Sequence, residues 1–255
     1  MLAPERHRAI LRLVAERGRV TLSEIESRFN ISAATARRDA YELSAAGKAQ
    51  RIHGGLLPPD FSLPEPHYPT KAEKAAGAKA ALGEATASLL PEAGTVFIDA
   101  GSTCFEVARA VIDRPGLRIY TNSVPLLTLA AGARATIFAI GGEVRAVSLA
   151  LTGAFAQSWP EQLRFDVAVL GASGIDPARG ACTTELAEAC VKAEALRRAR
   201  VRILVAHSSK WGRPTAVRYV RWNAFHHFVT NGPPASIDHA ELTAVGVKVH
   251  FVSTP

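Results

Sequence analysis

Thr35-Ala36-Arg37-Arg38-Asp39 and, after a break, Arg51-Ile52-His53-Gly54-Gly55 form the stretch whose reading decides the first domain. Two basic clusters beside a short helical region have the form of a duplex-binding module. Working outward, residues 4–16 place Ala9, Ile10, Leu13 and Val14 at the spacing of an amphipathic helix, which Gly18 stops. Thr21-Leu22-Ser23-Glu24 is a capping box, in which the Thr21 hydroxyl and the Glu24 carboxylate each satisfy an amide left free at the start of a second helix. That helix is expected to bury Leu22, Ile25 and Phe29. A turn at Asn30-Ile31 leads to Ser32, a good N-cap, and to a third helix ending near Ala45 with Gly47 as its stop. Three helices with a tight turn before the third make a helix-turn-helix plan.

The inward stripe of the third helix is Ala36, Ala40 and Leu43. Ala33, Ala34, Thr35, Arg37 and Arg38 therefore fall on or beside its outward side, with Ser32 at its start, where a DNA groove would meet them. Arginine grips phosphate or pairs with a guanine edge, while Ala and Thr offer small contacts to a thymine methyl and allow close approach. Residues 48–56 suit a two-stranded wing whose Arg51 and His53 touch backbone or minor groove. An isolated Arg pair on a helix is usually just a solvated face, but charge distribution favours the DNA reading. Residues 1–57 hold 10 Lys/Arg against 6 Asp/Glu, and the rest of the chain holds 20 against 17. Most of the +7 excess thus sits in under a quarter of the length, as counterion release requires.

Glu5-Arg6-x-x-x-Ile10, the Thr-x-Arg-Arg-Asp run at 35–39 and Arg51-x-His53-Gly54-Gly55 resemble the winged-helix domain of DeoR-family bacterial transcriptional regulators. Ala36 and Ala40 stand where that family usually carries larger aliphatic residues. Unfilled, such losses cost roughly 2–5 kcal/mol each, so Phe29, Ile31 and Tyr41 are expected to fill the space.

At 255 residues and 48% hydrophobic, the chain has room for this module and one further domain of ordinary size. Charge begins at once in Glu5-Arg6-His7-Arg8, and no 18-residue apolar run suggests a membrane span, so a soluble cytoplasmic protein is expected. Cys104, Cys182 and Cys190 lack C-x-x-C spacing and nearby His partners, which argues against disulfides and zinc and for a reducing compartment. Cys104 follows a glycine loop but is expected to be a buried small hydrophobe.

Pro58, Pro59, Pro64, Pro66 and Pro69 make an extended, fairly stiff connector of residues 58–70, between a winged helix at 1–57 and a second domain at 71–255. An alanine-rich helix over 72–87 leads into that domain. Beyond Pro91, apolar strands at 95–99, 118–121, 136–140, 166–170, 201–206, 226–230 and 248–252 alternate with helices. Runs of this kind suit a Rossmann-like α/β domain with parallel strands covered on both faces, whose ligands bind at the strands' carboxyl ends.

The loops at those ends are small and polar: Asp99-Ala100-Gly101-Ser102-Thr103 before a helix from about Cys104, then Thr121-Asn122-Ser123, Gly141-Gly142 and Gly171-Ala172-Ser173-Gly174. Glycine turns, hydroxyls and a helix N-terminus together make an anion cradle. Gly-Ser turns also close many α/β units for steric reasons, and it is their shared position after successive strands that points to a phosphate and hydroxyls. Neither a Walker pattern nor a G-x-G-x-x-G opening the first helix is present, which argues against nucleoside triphosphate and dinucleotide cofactors. Thr183-Thr184, Glu188 and Lys192 precede and ride a later helix. Glu188 and Lys192 have the spacing of a plain surface ion pair, and the run Arg197-Arg198-x-Arg200-x-Arg202 that of a solvated helix end. Ala206-His207-Ser208-Ser209-Lys210 ends a strand with a cation near the anion cradle.

The order Asp-x-Gly-Ser-Thr, Thr-Asn-Ser, Gly-Gly, Gly-x-Ser-Gly and Ser-Ser-Lys is similar to the DeoR-family sensor domain, whose fold is shared with ribose 5-phosphate isomerase and glucosamine 6-phosphate deaminase. The resemblance implies recognition of a phosphorylated sugar or polyol by Asp99, Gly101, Ser102 and Thr103, with Asn122, Ser123, Gly142, Gly171, Lys192 and Lys210 completing the pocket. His207 and Asn231 depart from it, since the family usually has Asp at both, and each exchange removes a carboxylate. The expected function is a ligand-controlled transcription factor, most simply a repressor, binding double-stranded operator DNA as at least a homodimer, with no cofactor, metal or catalytic residue. The alternative is a sugar-phosphate isomerase or deaminase with an accessory DNA-binding module, for which Asp99, Glu185 and Glu188 are the proton-transfer candidates.

Overall fold

The Thr21 hydroxyl accepts the Glu24 amide at 3.1 Å while the Glu24 carboxylate accepts the Thr21 amide at 2.7 Å, so the capping box closes in both directions. The computed structural model describes residues 2–17, 20–46, 48–52, 54–57, 65–232 and 239–254. The expected stops at Gly18 and Gly47, and Pro58, Pro59 and Pro64, lie outside these. The chain divides into two units, Met1–Pro64 and Glu65–Pro255.

The first unit runs α1 (Ala3–Arg17), β1 (Val20–Thr21), α2 (Leu22–Phe29), α3 (Ala33–Ala45), β2 (Gln50–Ile52) and β3 (Gly55–Leu57). Asn30 ends α2 in the left-handed conformation, and the Ser32 hydroxyl opens α3 by accepting the Thr35 amide. The wing has three strands rather than two, in the order β1-β3-β2, because Val20-Thr21 pairs with β3. A two-residue strand inside a helix-capping sequence has no periodicity by which to be recognised. The core joins Ile10, Leu13, Val14, Val20, Ile25, Ala36, Ala40, Leu43, Ala49 and Leu56, with Phe29 and Ile31 packed against it. Tyr41 is not part of this core: it is 62% exposed, and its place on α3 beside buried Ala40 turns it to solvent. The alanine face is covered by residues from α1, α2 and the wing instead.

The second unit begins with α4 (Tyr68–Glu73) and α5 (Ala76–Ala87). The single helix expected over 72–87 is broken, because Lys74 is extended and Ala75 left-handed at φ 55°. Then follow β4 (Ala93–Ile98), α6 (Ser102–Val111), β5 (Gly116–Thr121), α7 (Val124–Leu127), β6 (Thr136–Ala139), β7 (Glu143–Arg145), β8 (Ala150–Thr152), α8 (Gly153–Gln157) and β9 (Phe165–Leu170). The chain ends with β10 (Gly174–Asp176), β11 (Gly180–Thr183), α9 (Leu186–Arg198), β12 (Ala199–Val205), β13 (Val217–Val220), β14 (His227–Thr230), α10 (His239–Ala244) and β15 (Lys248–Phe251).

All seven strands expected after Pro91 belong to one sheet, ordered β15-β14-β12-β9-β4-β5-β6, with every pairing parallel. Alternate residues face opposite sides. Phe97, Ala168, Leu170, Leu204 and Phe228 join one apolar cluster, while Val96, Ile98, Val167, Val169, Ile203 and Val205 join another with Leu82 and Val107 of the covering helices. From β4 the chain builds outward through β5 and β6, then returns to add β9 on the other side. The crevice at that reversal lies at the carboxyl ends of β4 and β9, next to Asp99 and Gly171.

Candidate functional site

On α3, buried Ala36, Asp39, Ala40 and Leu43 fix which face is free. Ser32, Ala34, Arg37 and Arg38 are exposed and Ala33 and Thr35 half-buried. Arg51 is exposed on the wing, and His53 lies outside the described residues. Asp39 has a different task. Its carboxylate accepts Arg6 Nε at 2.5 Å and Nη2 at 3.0 Å, and stands 2.9 Å from His7 Nε2, clamping α3 to α1. Burial works against its charge, but the bonds from Arg6 and His7 outweigh it and hold the carboxyl below its usual range. Asp39 thus sets the rotation of α3 that turns the two neighbouring arginines outward.

In the second unit the switch-point crevice is built around Asp99, fully buried. Its Oδ2 accepts the Gly171 amide at 3.0 Å and the Lys192 ammonium. Burial pushes the Asp99 carboxyl up, against the pull of Lys192 and Gly171. Burial opposes the Lys192 charge too, but the carboxylates of Asp99 and Glu188 hold that ammonium protonated. Asp99 Oδ1 is buried and has no hydrogen-bond partner among the described residues. Tyr219 closes this corner, its hydroxyl donating to the Gly171 carbonyl at 2.9 Å and its ring 5.4 Å from Lys192 Nζ.

Gly101 opens α6 at φ 137°, a backbone that a side chain would strain. The adjacent Ser102 is buried and donates to the Lys71 carbonyl at 3.3 Å, and Thr103 lies half-buried in the first turn. Asn122 and Ser123 are buried and act on backbone: Asn122 Oδ1 accepts the Ala100 amide at 2.7 Å, and Ser123 caps α7. Asp99, Gly101, Asn122, Gly171 and Lys192 are thus joined by direct bonds or adjacency. Gly142, at φ 115°, packs against the Thr152 carbonyl and Ala156 instead, where no Cβ would fit. Cys104 is buried beside Asp99, and burial raises its thiol, in keeping with a small core side chain.

Lysines gather around Lys210. Burial and the charges of Lys71 and Lys74 lower Lys210 to about 8, and burial with Lys210 and Lys71 lowers Lys79 to about 8 as well. The break between α4 and α5 makes this possible, since it frees the Lys71 carbonyl to accept both Ser102 Oγ and the Lys79 ammonium. His207 Nδ1 accepts the Ser209 amide at 3.1 Å, and Asn231 Oδ1 accepts the Ser208 amide at 2.7 Å. Both side chains thus act as neutral acceptors for amides of the loop after β12.

Glu188 and Lys192 are both buried and bond elsewhere, not to each other as a surface pair. Glu188 accepts Ser148, Thr183 and Arg145, because α9 packs its polar edge inward against the carboxyl ends of the strands. Nor is the arginine run wholly solvated: Arg198 is buried, donating to the carbonyls of Pro160 and Leu163. Glu65, Lys71, Lys79, Arg145 and Tyr219 escaped the sequence reading. Only Arg145, three residues after Gly141-Gly142, carried a signal there. A cavity of about 400 Å³ lies between α4, α6 and α7, lined by Tyr68, Phe105, Val124, Pro125 and Leu149 among others. Ser102, Glu106 and Thr128 also border it, but its exposed wall is mostly apolar and brings no cation to a phosphate. No group of three or more metal-ligating side chains comes together among the described residues.

The description "DeoR-like helix-turn-helix domain" matches residues 6–60, and "DeoR C terminal sensor domain" matches residues 74–232. The chain belongs to the DeoR family. Its relatives include the HTH-type transcriptional regulator GlpR of Haloferax volcanii, 32% identical over 98% of both chains. The glycerol-3-phosphate regulon repressor of Escherichia coli is 31% identical over 92% of this chain and 93% of its own. The transcriptional repressor AccR of Agrobacterium fabrum is 31% identical over 81% of each. This DeoR-family protein is a DNA-binding transcriptional regulator, and its close relatives are regulators rather than enzymes. Ribose 5-phosphate isomerase A of Neisseria gonorrhoeae aligns with 57% of this chain and 56% of its own at 15% identity and a TM-score of 0.38, too loosely to bear on activity. No helix of the described residues is long and apolar enough to cross a membrane.

Proposed function

We propose that this regulator is a repressor that leaves its operator when a phosphorylated sugar or polyol binds the second unit. The observation that carries this is the lysine corner. Lys79 and Lys210 are held at about 8 by burial and by neighbouring cations, at the carboxyl end of the sheet and beside the start of α6. A dianionic phosphate relieves that repulsion, and Asp99 with its free Oδ1 accepts a hydroxyl. A relative named for a glycerol-3-phosphate regulon agrees with such a ligand. On this reading the effector site comprises Asp99, Gly101, Ser102, Thr103, Gly171, Lys192 and Lys210, with Asn122, Ser123 and Gly142 shaping its loops. Ser32, Ala33, Ala34, Thr35, Arg37, Arg38, Arg51 and His53 serve the DNA. Residues 58–70 carry the signal, and the protein works in the cytoplasm as at least a homodimer, since operators usually offer two half-sites.

The test is fluorescence anisotropy of the full chain on a labelled duplex from upstream of its own gene, with random DNA as control. The panel includes glycerol 3-phosphate and other sugar and polyol phosphates. Release by one phosphate, with a coupling of about 1–3 kcal/mol and so a 5- to 150-fold loss of affinity, supports the reading. Specific binding that no phosphate alters sinks it.

A further inference from the structure

Glu65 directly follows residues 58–64 in the chain, yet its side chain is only 6% exposed. Three donors from three places hold its carboxylate. Lys71 Nζ of α4 meets Oε1 at 2.7 Å, while Arg145 Nη1 at the end of β7 and Thr184 Oγ1 after β11 meet Oε2, each at 2.6 Å. Burial opposes the charge, but these donors outweigh it and lower the carboxyl to about 2. Two cations and a hydroxyl converging on one small oxyanion are the donor set of a phosphate site, and here the chain's own carboxylate fills it.

This site is continuous with the lysine corner. Lys71 binds Glu65 through its ammonium, and the carbonyl of the same residue accepts Ser102 and Lys79. The negative charge of Glu65 also acts on Lys210. Further along, the Tyr68 amide donates to the Val147 carbonyl at 2.8 Å, so the segment from Glu65 to Tyr68 is seated on the turn after β7.

We propose that Glu65 is a tethered stand-in for the effector's anionic group: an incoming phosphate takes Lys71, Arg145 and Thr184, expels the Glu65 carboxylate, and frees the chain that follows residues 58–64. The inference rests on the sugar-phosphate reading above and adds to it the route by which binding reaches the connector. Arg145 Nη1 is already shared with Glu188 at 3.2 Å, so a phosphate entering beside Glu65 would crowd a third anion onto these donors, where repulsion is poorly screened. A phosphate brings more charge and a third oxygen, whereas Glu65 competes only through the local concentration its tether supplies.

Titration calorimetry of the full chain with inorganic phosphate tests this, comparing the wild type with Glu65→Gln. The amide keeps the size of the side chain and one acceptor but removes the competing charge. Phosphate is expected to bind Glu65→Gln about tenfold more tightly or better. Equal affinity, or binding to neither, overturns the proposal. The operator-release panel with the wild type judges the sugar-phosphate reading separately, so the two failures are distinguishable. Should Glu65→Gln not fold, hydrogen exchange on the wild type decides. Saturating phosphate is expected to speed exchange of the Tyr68 amide, and unchanged or slower exchange overturns the proposal.

Discussion

Arg37 and Arg38 on α3, and Lys79 and Lys210 in the second unit, present positive charge in opposite ways. The arginines stand in water on a helix whose other face is buried, so each charge costs little to hold and reaches far. That suits a long polyanion, where many weak contacts add and salt competes. Lys79 is buried and Lys210 partly so, and burial with neighbouring cations lowers both to about 8. On the proposed reading this suits one small anion, whose charge relieves the repulsion between them. On the proposed reading the exposed set gives reach, and the more buried set gives selectivity.

The contrast fails if the exposed face does not depend on a buried clamp. Asp39→Ala is expected to have the largest effect, because it leaves the Arg6 guanidinium buried without its carboxylate, at a cost of about 3–5 kcal/mol. A unit of this size has little stability to spare. Calorimetry should lose the transition of the first unit and keep that of the second, and operator binding should vanish; two intact transitions would deny Asp39 this role.

Lys210→Ala is next. It should leave operator affinity unchanged and weaken effector binding by about 1.5–3 kcal/mol, so that release fails at concentrations effective for the wild type. The same corner sets a pH dependence. In the free protein Lys79 and Lys210 lose protons near pH 8, and a bound phosphate raises them again. Binding therefore takes up protons above pH 8, and affinity is expected to fall as pH rises from 8 to 10. A flat profile over that range would remove both lysines from the site.

Arg38→Ala, read by anisotropy against salt concentration, should cost about 1–3 kcal/mol of operator affinity while effector binding stays unchanged. A salt slope smaller by about one would identify a phosphate contact, and an unaltered slope with relaxed base preference a base contact. The smallest effect belongs to Ala75, left-handed at the start of α5 with no side-chain cap. Asn suits that backbone and can cap the helix, so Ala75→Asn should stabilise the second unit by about 1 kcal/mol, or roughly 2–4 °C in Tm. No gain in Tm would show that the break between α4 and α5 is held from outside.

Local pattern carried much of this far. The capping box at Thr21–Glu24, the cap at Ser32 and the alternation of strands with helices act within a few residues, so composition and spacing expose them. Tyr41 was misjudged because a single position on a helix cannot reveal which way a long side chain turns when its neighbour Ala40 is buried. Glu188 and Lys192 have the spacing of a surface pair, and only the packing of α9 onto the sheet sends one to Ser148 and Thr183 and the other to Asp99.

By itself, the sequence determined the helix-turn-helix, the run of strands that makes a parallel sheet, and the glycine and hydroxyl loops at its carboxyl ends. These follow from local propensity and from apolar periodicity that any register of the sheet must bury. The tertiary structure alone decided that Glu65, Lys71, Arg145 and Thr184 meet. They span some 120 positions of the chain, and no local pattern encodes a contact that forms only when the helix before the sheet, a hairpin and the strand before α9 have packed together.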